Sequence, residues 1–306
     1  MPRGPAAIGL AAALLAGPAA PSPALAQAQA QALRERHAQL LPALRRNEFG
    51  RPIHVASQAQ GEELRGEVHA ELEHPFAAVR EALRPPGRWC EVLVLPFNTL
   101  DCEEVPQDRE GGAAARGDPA GAGPVLALRV GRRPDQPPQQ AFALRLSVRT
   151  VAEAPDYLEV RLEADRGPMG ARDLRISVAA MPLAGGRSFL RLGYAYGAGL
   201  PGRMAMRAYL ATAGAGKVGF STEPGEDGRP RPVGGLRGVV ERNAMRHYLA
   251  IDATLGTLQA TPRQRVEAWF DAAQRYPQQL HEMDKATYVA LKEGVVARVR
   301  ERAGAR

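Results

Sequence analysis

The stretch Asp156–Tyr196, DYLEVRLEADRGPMGARDLRISVAAMPLAGGRSFLRLGYAY, decides the fold class. Leu158, Val160 and Leu162 alternate with Tyr157, Glu159, Arg161 and Glu163; Leu174, Ile176 and Val178 oppose Arg175 and Ser177; Leu190, Leu192, Tyr194 and Tyr196 oppose Arg191. A period of two over three successive segments is the mark of strands with one face against a core and one toward water. The turns Arg166-Gly167-Pro168 and Ala184-Gly185-Gly186 are short enough for hairpins, so the segments form an antiparallel sheet.

Working outward, Gln140–Val151 and Pro124–Val130 add two more strands, and Glu63–Glu73 begins the sheet, with Leu64, Gly66, Val68, Ala70 and Leu72 on its apolar side. His74-Pro75 ends that strand, and Pro75 opens a short helix carrying Phe76, Val79 and Leu83. The run Trp89–Leu100 is too apolar for a half-exposed strand and reads as one buried on both sides near the centre of the fold. From Glu103 to Gly123 the sequence is rich in Gly, Ala, Pro and charge, which reads as a mobile loop. Beyond Gly199 the period becomes helical. A short helix over Pro201–Thr212 precedes a Gly- and Pro-rich stretch. Leu236–Leu258 then forms a long helix whose apolar stripe is Val240, Ala244, His247 or Tyr248, Ile251, Leu255 and Leu258, with Arg237, Glu241, Arg242, Arg246 and Asp252 opposite. Helices over Thr261–Gln274 and His281–Arg302 close the chain.

The chain has 306 residues and a formal net charge of +7. Nearly all the basic residues are Arg, spread along the sequence, a pattern that argues against a nucleic-acid partner. Its first residues read as an export signal: Arg3, an apolar run from Ile8 to Ala16, and the small-x-small site Ala24-Leu25-Ala26. The apolar run is too short to span a bilayer. The expectation is a periplasmic or secreted protein cleaved after Ala26, with no integral membrane segment thereafter. Residues 27–60 are then a helical lead-in, with Leu33, Leu40, Leu41 and Leu44 at helical spacing and Pro42 ending or kinking it. Residues 61–258 are the α+β domain, and residues 259–306 a helical extension. Cys90 and Cys102 lie in one short stretch, where an oxidising compartment favours their pairing over two buried thiols.

The order of a strand, a short helix opened by His74-Pro75-Phe76, Trp89, a run of antiparallel strands and a late long helix resembles the START-like (SRPBCC) helix-grip superfamily. The local match is tightest from Val68 to Trp89 and extends over about Gly61–Leu258; the forty-eight residues after Leu258 and the loop after Cys102 depart from the pattern. The resemblance implies a curved antiparallel sheet gripping the long helix around a cavity for a lipid or another apolar molecule. Phe97, Leu192, Tyr194, Tyr196, His247 and Ile251 would line that cavity. The superfamily also hosts cyclase- and hydratase-type enzymes, and a cavity filled by side chains would suit an envelope structural or interaction protein. These alternatives stay open.

Other motifs carry less. Gly214-Ala-Gly-Lys-Val-Gly219 spells a dinucleotide loop but follows a helix instead of a strand, and Ala211 and Val218 break a phosphate-loop pattern. His281-Glu282 has Lys285 where a zinc helix needs its second His, and two Cys without clustered His give no metal site. Ser221 lacks the trailing Gly of a nucleophile elbow. No cofactor or metal is expected, and the sequence names no reaction.

Overall fold

The computed structural model describes residues 23–105, 123–133, 136–212 and 214–304. The basic start and apolar run of the expected export signal, and most of the Gly- and Ala-rich stretch after Cys102, lie outside the described residues.

Eight strands form one antiparallel sheet: β1 (Ile53–Gln60), β2 (Glu63–Leu72), β3 (Thr99–Val105), β4 (Val125–Val130), β5 (Phe142–Ala154), β6 (Tyr157–Arg166), β7 (Ala171–Leu183) and β8 (Arg187–Ala198). Their order is β1-β2-β8-β7-β6-β5-β4-β3. The hairpins expected from the period-two segments are present, with Leu162 opposite Ile176 and Val178 opposite Leu192. Closure between β2 and β8, with Val68 opposite Leu192 and Gly66 opposite Tyr194, brings the ends of the domain side by side. Strand β1 pairs with β2 along its whole length, so the sheet starts inside the segment read as a lead-in.

The long helix α5 (Gly235–Gly256) lies across β1, β2 and β8. It is buried nearly all round, which corrects the assignment of Glu241 and Arg242 to a polar side: they keep 0% and 2% of their surface. Gly66 explains how close the helix comes, since a Cβ there would stand 2.6 Å from the carbonyl oxygen of Val240.

The run Trp89–Leu100 is buried as expected but is not a strand. Residues Arg88–Leu93 form helix α3, and β3 begins only at Thr99. A short unbroken apolar run has no periodicity of its own, and here tertiary packing chose the helix. Helix α2 (Phe76–Leu83) precedes it, and the Trp89 indole donates to the Leu83 carbonyl at 2.8 Å. The Cys90–Cys102 disulfide therefore ties a helix to a strand; in the chain-entropy model a loop of this size contributes about 3 kcal/mol.

The C-terminal helices α6 (Pro262–Gln274), α7 (Pro277–Leu280) and α8 (Lys285–Gly304) complete the core from the α3 side. Thr261 and Gln264 form a capping box at the start of α6. A buried ion pair joins Arg265 to Glu91 of α3. The Lys292 ammonium donates to three carbonyls, of Val94 at 2.7 Å, Pro96 at 2.7 Å and Thr99 at 2.5 Å, and thus closes the turn between α3 and β3.

The outer face of the sheet is less wet than its polar residues suggest. Helix α1 (Pro23–Arg45) runs through Pro42 without ending, and it covers Ala152, Tyr157, Ala179, Met181 and Phe189 with Ala26, Ala30, Leu33, Leu40 and Leu44. Leu41 is only partly buried. That face also carries the ion pairs Arg149–Glu163 at 2.8 Å and Arg161–Glu159 at 3.1 Å, with Glu159 itself buried.

Candidate functional site

Alternation along β8 turns Leu192, Tyr194 and Tyr196 toward the interior, and the β2 register sets them against Val68, Gly66 and Leu64. Because α5 closes onto Gly66, it delivers His247 to the same seam. The rings of Tyr194 and His247 stack at 5.3 Å, and Tyr194 meets Tyr196 edge-on at 6.1 Å. His247 Nδ1 lies 2.7 Å from the Asn243 carbonyl, which assigns the hydrogen to Nδ1 and the lone pair to Nε2. The Tyr196 hydroxyl is buried and has no hydrogen-bond partner among the described residues.

The expected lining residues thus divide. Tyr194, Tyr196 and His247 form one cluster. Leu192 and Ile251 are wholly buried core residues at 0% exposure. Phe97 lies under the Arg246 guanidinium, 5.2 Å from its carbon to the ring centroid. Arg246 also binds Glu282 at 2.6 Å, and Lys217 reaches the same carboxylate at 2.6 Å. These three charges were not legible as a group, because they come from α5, from the segment before it and from the turn before α8. Glu241 was also missed. Its carboxylate accepts from the Ser57 hydroxyl at 2.6 Å and from the backbone of Phe220 and Ser221 at 2.6 and 2.9 Å, and so fixes the segment leading into α5. That use of Ser221 has no relation to nucleophilic chemistry.

Burial sets the protonation of the cluster. It pulls His247 down to about 4, against the hydrogen bond to Asn243, so the ring is neutral near pH 7. It pushes Tyr196 up to about 12 and raises Tyr194 as well. A base this weak is poorly matched to proton transfer at neutral pH. What the cluster offers is neutral: aromatic faces, a hydroxyl lacking a partner and an imidazole lone pair.

Beyond that cluster the interior under the sheet is filled. Side chains lining a void large enough for water would keep surface that water can reach, yet Val160, Leu162, Ile176, Val178 and Leu190 keep 0–2%. Two hollows lie elsewhere: an open groove on α2 beside Arg80 and Arg84, and a crevice of about 20 Å³ beside the disulfide, room for a single water. Among the described residues no group of three or more His, Cys, Asp or Glu could hold a metal.

Solved structures similar to the chain include a protein from Arthrobacter aurescens, at 16% identity over 66% of this chain and 91% of that one, with a TM-score of 0.30. Ara h 8.0201 is similar at 12% identity over 53% of this chain and 91% of that one, with a TM-score of 0.28. Human StAR-related lipid transfer protein 5 is similar at 14% identity over 56% of this chain and 83% of that one, with a TM-score of 0.27. The chain is α+β, with a large curved antiparallel sheet and several helices. No protein-family model and no curated protein matches it.

Proposed function

We propose that the protein is exported and binds an apolar small molecule or lipid bearing one polar group, at the seam between β8 and α5. One observation carries the reading. In an interior where Leu192 and Ile251 are wholly closed, Tyr194 and His247 stay partly open, and the neighbouring Tyr196 hydroxyl has no partner. A buried hydroxyl left unsatisfied costs about 1–3 kcal/mol, and a ligand that hydrogen-bonds to it recovers that energy on binding. Apolar burial at about 25 cal/mol per Å² supplies the rest of the affinity.

Because the interior is filled, binding requires an element to move. We assign that movement to helix α4 (Leu200–Ala211), which touches both β8 and α5. The filled interior also favours a second reading, an interaction protein of the cell envelope whose sheet-to-helix space never opens. Native mass spectrometry of protein purified without denaturant separates the two. The ligand reading expects a bound species that Tyr196→Phe depletes while thermal stability stays level or rises. The binding reading fails if no species appears with a panel of lipids and the variant is indistinguishable from the parent. Export has its own readout: periplasmic material should begin at Gln27.

A further inference from the structure

At the end of the sheet where β6 turns into β7, three large apolar side chains face water: Met169 at 46% exposure, Leu200 at 70% and Met204 at 62%. They belong to one surface. The first turn of α4 rests on the turn over Pro168–Gly170, close enough that a Cβ on Gly202 would lie 3.4 Å from the Met169 carbonyl oxygen. Leu200 and Met204 stand four residues apart and share one side of α4. Met169 itself is held at φ 57, a left-handed conformation that a side chain this large seldom adopts.

The charge around the patch has one sign on the helix. Between Asp173 and Glu223 the sequence contains no Asp or Glu, and α4 contributes Arg203 and Arg207. Arg207 is exposed and, one turn beyond Met204, lies on the same side of α4 as Leu200. Arg203 anchors the helix instead, donating to the Ala198 carbonyl at 3.0 Å and to Gly61. The neighbouring carboxylate of Glu62 is held by Arg172. Exposed Leu and Met beside Arg, on a short helix without acids, match the headgroup and upper acyl region of an anionic bilayer, where apolar side chains insert and each cation adds attraction.

We propose that α4, with Met169, docks the protein on the surface of an anionic phospholipid membrane. The contact stands independently of any ligand at the β8–α5 seam. Were both readings right, α4 would meet the membrane and gate the seam at once.

Co-sedimentation of the full chain with vesicles tests the proposal, using phosphatidylcholine alone and phosphatidylcholine mixed with phosphatidylglycerol. The parent should bind the mixed vesicles at least about tenfold more tightly than the neutral ones, and less tightly as salt rises. The double variant Leu200→Asp, Met204→Asp should lose about tenfold or more, and Arg207→Glu several-fold. All three positions are exposed, so the variants should match the parent in thermal melting. Tyr196→Phe should bind vesicles like the parent, which keeps failure of this contact distinct from failure of the ligand reading. Equal binding to neutral vesicles, no binding to either, or full binding by the double variant would overturn the proposal. So would a concentration-dependent dimer that the double variant abolishes in protein that ignores vesicles.

Discussion

Replacing Gly66 by Ala tests how tightly α5 grips the sheet. The added methyl would stand 2.6 Å from the Val240 carbonyl oxygen, 2.7 Å from its carbon and 3.1 Å from the Glu241 nitrogen. All three are helix backbone, which cannot rotate aside as a side chain can. Ordinary contact distances begin near 3.4 Å, so α5 must retreat by roughly 0.8 Å along a face where its neighbours are already closed. Overpacking of this kind costs about 1–3 kcal/mol, and the smaller gain from replacing a strand glycine does not offset it. At about 2–4 °C per kcal/mol for a domain of this size, the melting temperature should fall by about 2–12 °C. Gly193→Ala is the matched control. Its methyl would meet only the Ser177 hydroxyl, at 2.7 Å, and that side chain can turn away. Calorimetry of both variants should find Gly193→Ala within about 2 °C of the parent. Equal shifts in the two variants, or an unshifted Gly66→Ala, would refute the close approach of α5 to β2.

Acid should destabilise the protein before its carboxylates titrate. His69 is wholly buried beneath α1 with neither ring nitrogen hydrogen-bonded, and burial, reinforced by Arg36, His54, Arg191 and Arg65, pulls it down to about 3. A lowered pKa favours the neutral ring in the fold, so its contribution is complete above about pH 6.5 and is lost progressively as pH falls toward 3. By pH 4.5 the loss is about 2–3 kcal/mol, and His69→Phe should narrow the gap in urea-unfolding free energy between pH 7.5 and 4.5 by that amount; an unchanged gap removes His69 from the explanation. Lys292→Met should destabilise by about 3 kcal/mol at neutral pH even though it deletes a buried charge whose pKa burial has drawn down to about 7, because three buried carbonyls lose the donor they share, and Pro96 keeps only the Thr99 amide. Equal or greater stability of Lys292→Met in urea would show that those carbonyls find other partners.

What the sequence alone determined is what depends on local periodicity. The alternation of Leu158, Val160 and Leu162, and of Leu190, Leu192 and Tyr194, states both the element and the buried face, because a strand has only two sides. Six of the eight strands were legible this way; the two that were not are β1, whose Ile53–Gln60 reads more polar than the others, and β3, hidden behind an apolar run without a period. The long helix was legible from its spacing, and the cysteine pair from their separation. The covering of the outer face by α1 was not, since Ala26, Ala30 and Leu33 carry a weak signal and the strand residues they meet look polar from their neighbours. Nor was the seam as a unit. Tyr194 and Tyr196 announced their side of the sheet, but the stack on His247 and the Arg246–Glu282–Lys217 group depend on residues distant in the chain. Local dihedral and packing preferences act over a few residues and are written in sequence order. Which surfaces then meet, and whether the space between them closes or stays open, is settled by side-chain volumes summed over the whole core, and only the tertiary structure performs that sum.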